Sequence, residues 1–157
     1  MITQDVTSSP VATIGPTASA RQAARLMRDR GVGSVVVVDE QCKPLAIVTD
    51  RDLALHVLRN GLDPARAPAM SAEMLSRPLI TAPETIDLQA AARLMRSGGV
   101  RRLPLVDAEG RVTGIRTSDD MLCSLTARFD LLASAVGHGR DLEFTCNTCS
   151  STTFGAE

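Results

Sequence analysis

Two short stretches place a hydroxyl and a carboxylate at the same spacing, Thr49 with Asp52 and Thr117 with Asp120. Each follows an apolar run and opens a helical pattern. As a capping box, the threonine hydroxyl and the acidic side chain satisfy free donors of the first helical turn. As a ligand site, a helix start at a strand end forms a crevice. There the carboxylate can accept both hydroxyls of a ribose, and the threonine can bond a hydroxyl or a phosphate. Both readings are open from spacing alone. A second group is Arg101-Arg102, just ahead of an apolar run. Paired arginines at a strand entrance can hold a phosphate through bidentate hydrogen bonds, or they are two solvated side chains. The third is Cys146-x-x-Cys149. It offers two zinc ligands where four are usual, with His138 as a third. It also suits a redox pair, although the βαβ context of a thioredoxin-like motif is missing, or it is two incidental cysteines. Cys42 and Cys123 have no evident partner, and His56 reads as a surface or core histidine of a helix. With two histidines and no nucleophile–base pair in view, the sequence argues against a hydrolytic or transfer enzyme.

The elements that must position these groups occur twice. Residues 23–53 and 91–121 repeat at an offset of 68 without a gap, and 17 of the 49 positions from 5 to 53 are identical to their counterparts. This period is longer than the roughly 20–50 residues of solenoid repeats, so it predicts two similar units. Each unit is too small to bury a large core alone, and the two are expected to pack together. Pro10–Ile14 and Pro78–Thr81 read as short first strands, and Thr17 and Thr85 as helix N-caps. Ala20, Ala23, Ala24 and Met27, and likewise Leu88, Ala91, Ala92 and Met95, recur at helical spacing. Gly31 and Gly99 stand where a left-handed C-cap favours glycine. Val35–Val38 and Leu103–Val106 read as buried strands. Polar turns then lead to return strands at Leu45–Val48 and Val112–Arg116, and a second helix follows each T-x-x-D. The predicted boundaries are a first unit at 2–60, a linker at 61–72, a second unit at 73–127, and a helix extension with a cysteine-containing tail at 128–157. The last helix is predicted to reach Val136, with Met121, Leu125, Phe129, Leu132 and Val136 as an apolar stripe. That surplus stripe predicts a homodimer interface.

Composition excludes several classes. Net charge is −1, there is no Trp or Tyr, and no basic block appears, so nothing marks a nucleic-acid surface with stacking aromatics. No apolar run approaches the roughly 18 residues of a membrane span. The N-terminus has neither a basic nor an apolar signal region. Four cysteines without a framework pattern suit a reducing compartment, and the expected location is the cytoplasm.

The segments VRRLPLVD and GIRTSDDM, with SVVVVD and AIVTDRDL, resemble a tandem pair of cystathionine-β-synthase (CBS) domains, also called a Bateman module. The resemblance covers about residues 2–127. It implies an α/β (α+β) fold of two pseudo-symmetric β-α-β-β-α units packed through their sheets, in modules that often dimerise. It implies a regulatory protein that binds adenosine-containing ligands of the AMP, ADP, ATP, NAD(H) or S-adenosylmethionine class, requires no cofactor and acts on a partner protein. Family ribose positions fall on Thr49, Asp52, Thr117 and Asp120. Adenine contacts fall on Ala12, Thr13, Ile80 and Thr81, and on Ala46, Ile47, Gly114 and Ile115. Phosphate contacts fall on Arg101 and Arg102. Two departures bear on the first copy. Ala46 stands where glycine is usual, and Gly33-Ser34 stand where the second copy has its arginines. The rival expectation is a ligand-free structural or redox dimerisation module whose Cys146 and Cys149 bind zinc or form a disulfide.

Overall fold

The computed structural model describes residues 11–70 and 78–137. The first unit runs β1 (Thr13–Ile14), α1 (Ala20–Arg30), β2 (Ser34–Val38), β3 (Pro44–Thr49) and α2 (Asp50–Asn60). The second runs β4 (Ala82–Pro83), α3 (Leu88–Gly98), β5 (Arg102–Val106), β6 (Val112–Thr117) and α4 (Ser118–Gly137). Each unit holds one three-stranded sheet, in the order β1-β2-β3 or β4-β5-β6. The first pair of each sheet is parallel and the second antiparallel. The duplication is therefore preserved strand for strand, giving the β-α-β-β-α pattern twice.

The helix starts correct one expectation. Thr17 lies in a turn, and the cap of α1 is Ser19, whose hydroxyl accepts from Gln22 N while Gln22 bonds back to Ser19 N at 2.8 Å. The cap of α3 is Asp87, which accepts from Ala90 N at 2.7 Å, two residues beyond Thr85. Turns closed by Ala18 N to Gly15 O and by Ile86 N to Pro83 O delay both helices by those two residues. The strand ladder of the second unit likewise begins at Ala82, after Pro78–Thr81. The helix ends match expectation: Gly31 and Gly99 both adopt φ 63° as left-handed caps.

Alternation along the strands divides their side chains between two layers. Val35, Val37, Ala46 and Val48 face Ala23, Met27 and Leu53 in the first core. Leu103 and Leu105 face Ala82, Ala91, Met95 and Met121 in the second. Ala24 and Ala92, read as part of the buried stripes, are exposed, and Leu26 and Leu94 take their place as partly buried neighbours. Val36, Pro104 and Ile115 belong to neither core, yet the first two are fully buried and Ile115 nearly so. They occupy the sheet faces turned away from the helices, where the two units meet. Fully burying a side chain of this size contributes about 1.5–3 kcal/mol. Across that junction, Val112 N donates to Cys42 O at 2.9 Å.

The segment read as a linker packs onto the first unit. Ala20 N and Arg21 N donate to the carbonyls of Ala67 and Pro64, Ala69 N donates to Ala18 O, and Ala67, Ala69 and Met70 enter the first core. Met121, expected in the surplus stripe of the last helix, is instead part of the second core. Leu122, Leu125, Phe129, Leu131 and Leu132 remain exposed along α4. No helix among the described residues is long and apolar enough to cross a membrane.

Candidate functional site

Both T-x-x-D motifs form the same closed box. In the first unit, Thr49 N and Thr49 Oγ1 donate to Asp52 Oδ2 at 3.1 and 2.7 Å, and Asp52 N donates to Thr49 Oγ1 at 3.1 Å. In the second, Thr117 N and Oγ1 donate to Asp120 Oδ2 at 3.1 and 2.8 Å, and Asp120 N donates to Thr117 Oγ1 at 3.1 Å. The capping reading thus holds in both copies. Each threonine hydroxyl has spent its single donor and keeps acceptor capacity.

Strand register sets the entrance of the middle strand beside each box. Ser34 pairs with Thr49 and Arg102 with Thr117. Asp50 N donates to Gly33 O at 3.2 Å, and Ser118 N to Arg101 O at 3.0 Å. The structure therefore brings Arg101 and Arg102 next to Thr117 along the backbone. The Arg102 side chain goes elsewhere. Its Nη2 lies 3.6 Å from the point where a Cβ on Gly33 would sit, and Asp50 Oδ2 lies 3.6 Å from the same point. A cation that the first copy lacks in its own sequence is thus supplied across the junction by the second copy, into space that Gly33 leaves open. Arg101 is exposed.

Arg102 also lines a cleft of about 140 Å³ between the units, with Ala46 and Ile47 from β3 and Pro78, Leu79, Ile80 and Val100 from the second unit. Of the residues expected to contact a ligand, Ile80, Arg102, Ala46 and Ile47 meet in this cleft. Ala12 and Thr13 lie at the β1 edge, where Ala12 O accepts from Val36 N at 2.9 Å, and only Ala12 is buried. Thr81 is half-buried, whereas Gly114 and Ile115 are buried in β6. The wall of the cleft depends on Gly98. A Cβ there would collide with Ile80 Cδ1, so the missing side chain lets Ile80 seat against α3.

Arg116 escaped the motif reading. It is a charged side chain 3% exposed inside the second unit, at the repeat position that Val48 fills in the first. Its Nη1 donates to Ile86 O at 2.7 Å. Burial pulls its guanidinium down from the ordinary arginine range, and the carboxylates of Asp120 and Asp87 oppose that pull. Laying GIRT of the second copy over AIVT of the first exposes the signal, a charge substituted for a core valine.

The β5–β6 turn is a separate electrostatic feature. Asp107 Oδ1 accepts from Glu109 N and Arg111 N, and its Oδ2 holds Arg111 Nε at 2.8 Å. The backbone bond from Arg111 leads the causes that hold the Asp107 carboxyl below its usual range. Cys42 and Cys123 are free and exposed. Among the described residues no cluster of three or more His, Cys, Asp or Glu could hold a metal ion, and Cys146 and Cys149 lie outside those residues.

The chain belongs to the CBS domain family, whose profile matches residues 3–59 and 71–126. It is 40% identical over 118 residues to the uncharacterized protein MK0525 of Methanopyrus kandleri, covering 75% of this chain and 59% of that protein. It is 34% identical over 118 residues to the CBS domain-containing protein YhcV of Bacillus subtilis, covering 75% of this chain and 81% of that one. Two solved structures share the fold. The CBS domain pair of MJ0100 in complex with 5′-methylthioadenosine and S-adenosyl-L-methionine matches with a TM-score of 0.67 and 27% identity, over 79% of this chain and 94% of that one. The CBS domain protein PAE2072 of Pyrobaculum aerophilum complexed with AMP matches with a TM-score of 0.66 and 27% identity, over 83% and 96%.

Proposed function

We propose that this protein is a regulatory CBS pair without catalytic activity of its own, sensing an adenosine-containing ligand in the cytoplasm. The observation that carries the reading is the cleft in which one guanidinium, Arg102, meets the apolar side chains of Ile47, Ile80 and Val100 across two units. A purine needs apolar walls and a phosphate needs a cation, and the two requirements meet here. The AMP bound by PAE2072 and the adenosine compounds bound by MJ0100 support it. At about 140 Å³ the cleft is smaller than the roughly 300–1,000 Å³ of small-molecule pockets. It therefore seats the base, with ribose and phosphate at its mouth towards Arg102 and a T-x-x-D box. Ligand that prefers one arrangement of the two units shifts an existing equilibrium. The exposed apolar face of α4 pairs with a second copy and passes the change to it, or to a regulated partner protein.

Thermal melting with AMP, ADP, ATP, NADH and S-adenosylmethionine tests the reading. A ligand at 100 times its dissociation constant adds about 2.7 kcal/mol, which raises the melting temperature by several degrees. No shift with any of the five at millimolar concentration contradicts it.

A further inference from the structure

The cation that reaches the cleft does not stand there alone. Arg102 lines the cleft, and its Nη2 lies 3.6 Å from the point where a Cβ on Gly33 would sit. Asp50 Oδ2 lies 3.6 Å from the same point, so guanidinium and carboxylate are no further apart than twice that distance. This is inside the roughly 8 Å over which exposed charges act on each other at physiological salt. The carboxylate is held by its other oxygen. Asp50 Oδ1 accepts from Arg51 N at 2.7 Å, which leaves Oδ2 turned to the open space beside Gly33. The start of α2 offers an incoming anion little in return. Its first three N–H groups are taken by Gly33 O, Asp50 Oδ1 and Thr49 Oγ1.

The second copy is built differently at the same link. Ser118 N bonds to Arg101 O as Asp50 N bonds to Gly33 O. A hydroxyl stands there in place of the carboxylate, and an arginine in place of the glycine. Beside the cleft, then, the first copy borrows a cation and itself supplies a charge that opposes what the cation attracts.

We propose that Asp50 is a selectivity residue of this cleft, setting how much negative charge its ligand can carry. A single phosphate gains from Arg102 at the mouth. Each further phosphate enters the space that Asp50 Oδ2 faces and is repelled. The cleft therefore takes adenosine compounds with one phosphate in preference to di- and triphosphates. This ranking rests on the adenosine reading above, whereas the opposition of Asp50 to an anion on Arg102 does not.

Isothermal titration of adenosine, AMP and ATP into wild type, Asp50→Asn and Asp50→Ser tests the ranking. The serine variant carries the second copy's residue. Removing one like charge at this range strengthens ATP binding by about three- to tenfold, AMP binding by less and adenosine binding not at all. The gain shrinks at about 1 M salt, where the screening length falls to roughly 3 Å. A preference between AMP and ATP that is the same in all three proteins overturns the proposal. So does a gain that salt leaves untouched, which a merely structural change would give. A second arm needs no nucleoside. Melting of the full chain with inorganic tripolyphosphate is followed in wild type, Asp50→Asn, Arg102→Ala and the double variant. Asp50→Asn increases the stabilisation by the anion, and Arg102→Ala removes that increase. An increase of equal size with and without Arg102, or no increase, overturns the proposal. If wild type binds neither adenosine nor AMP, the adenosine reading fails and this arm still decides the role of Asp50.

Discussion

Arg102 Nη2 and Asp50 Oδ2, from different units, each lie 3.6 Å from the empty Cβ position of Gly33. The first copy has no arginine pair of its own, and Asp50 at the start of its α2 lies near the guanidinium of the second copy. The two halves are thus chemically unequal but share a cation. A ligand at this junction touches both units at once, which is what a sensor of their relative arrangement requires.

Gly98 should act on binding without much effect on stability. In Gly98→Ala, the added Cβ displaces Ile80 Cδ1, the flexible end of a side chain that lines the cleft. Alanine favours the helix over glycine by up to about 1 kcal/mol, which offsets the local crowding. The expected outcome is a melting temperature within a few degrees of wild type and AMP binding weakened by about tenfold or more, read by calorimetry. Unchanged affinity would show that Ile80 does not contact the ligand.

Asp120 separates capping from ligand binding. Loss of a cap costs about 1 kcal/mol, so Asp120→Ala lowers stability whatever else it does. Asp120→Asn can keep a hydrogen-bonding group at the start of α4. It should retain most of the stability and lose adenosine affinity by about ten- to a hundredfold, since bonds to a charged group contribute roughly 1.5–3 kcal/mol. Full binding by a folded Asp120→Asn protein returns the motif to being a helix cap alone, and Asp52→Asn makes the same test in the first copy.

Much of this was legible in the sequence. The duplication, its strand order, the glycine C-caps and both boxes follow from spacing that a helix or strand imposes locally. The N-caps fall two residues later than Thr17 and Thr85, at Ser19 and Asp87, which are the stronger capping types, and the preceding turns carry the chain to them. The reach of Arg102 to Gly33 was hidden, because it depends on how two units meet. Arg116 was visible as a substitution for Val48 but not as a buried charge, since burial is a property of the packed core.

The apolar face of α4 should assemble the protein. Phe129 is 68% exposed and Leu132 62%, and large apolar side chains shown together on one helix mark an interaction surface. Light scattering at micromolar concentration should give twice the chain mass of 16.6 kDa. Phe129→Asp should shift the population to monomer and leave the fold intact by circular dichroism. A wild-type monomer, with Phe129→Asp indistinguishable from it, contradicts this.

The β5–β6 turn predicts a pH signature. Asp107 is held below its ordinary value of 3.8, chiefly by the backbone bond from Arg111. A carboxyl lowered in the folded state adds stability above its unfolded value and loses it as the pH falls through the folded one. Asp107→Asn should therefore melt below wild type at pH 7, and the gap should close as the pH is taken below 3.8. A gap that persists or widens in acid would mean that the turn is held by geometry and not by the charge.

An adenosine-containing ligand is expected to bind between the units with its phosphate on Arg102. Isothermal titration of AMP and of adenosine into wild type and Arg102→Ala tests it most directly. Wild type should bind AMP more tightly than adenosine. Arg102→Ala should lose about ten- to a hundredfold in AMP affinity, the equivalent of roughly 1.5–3 kcal/mol, and change little towards adenosine. Equal losses for the two ligands would contradict the phosphate assignment, and no heat from either ligand with folded wild type would contradict adenosine binding altogether.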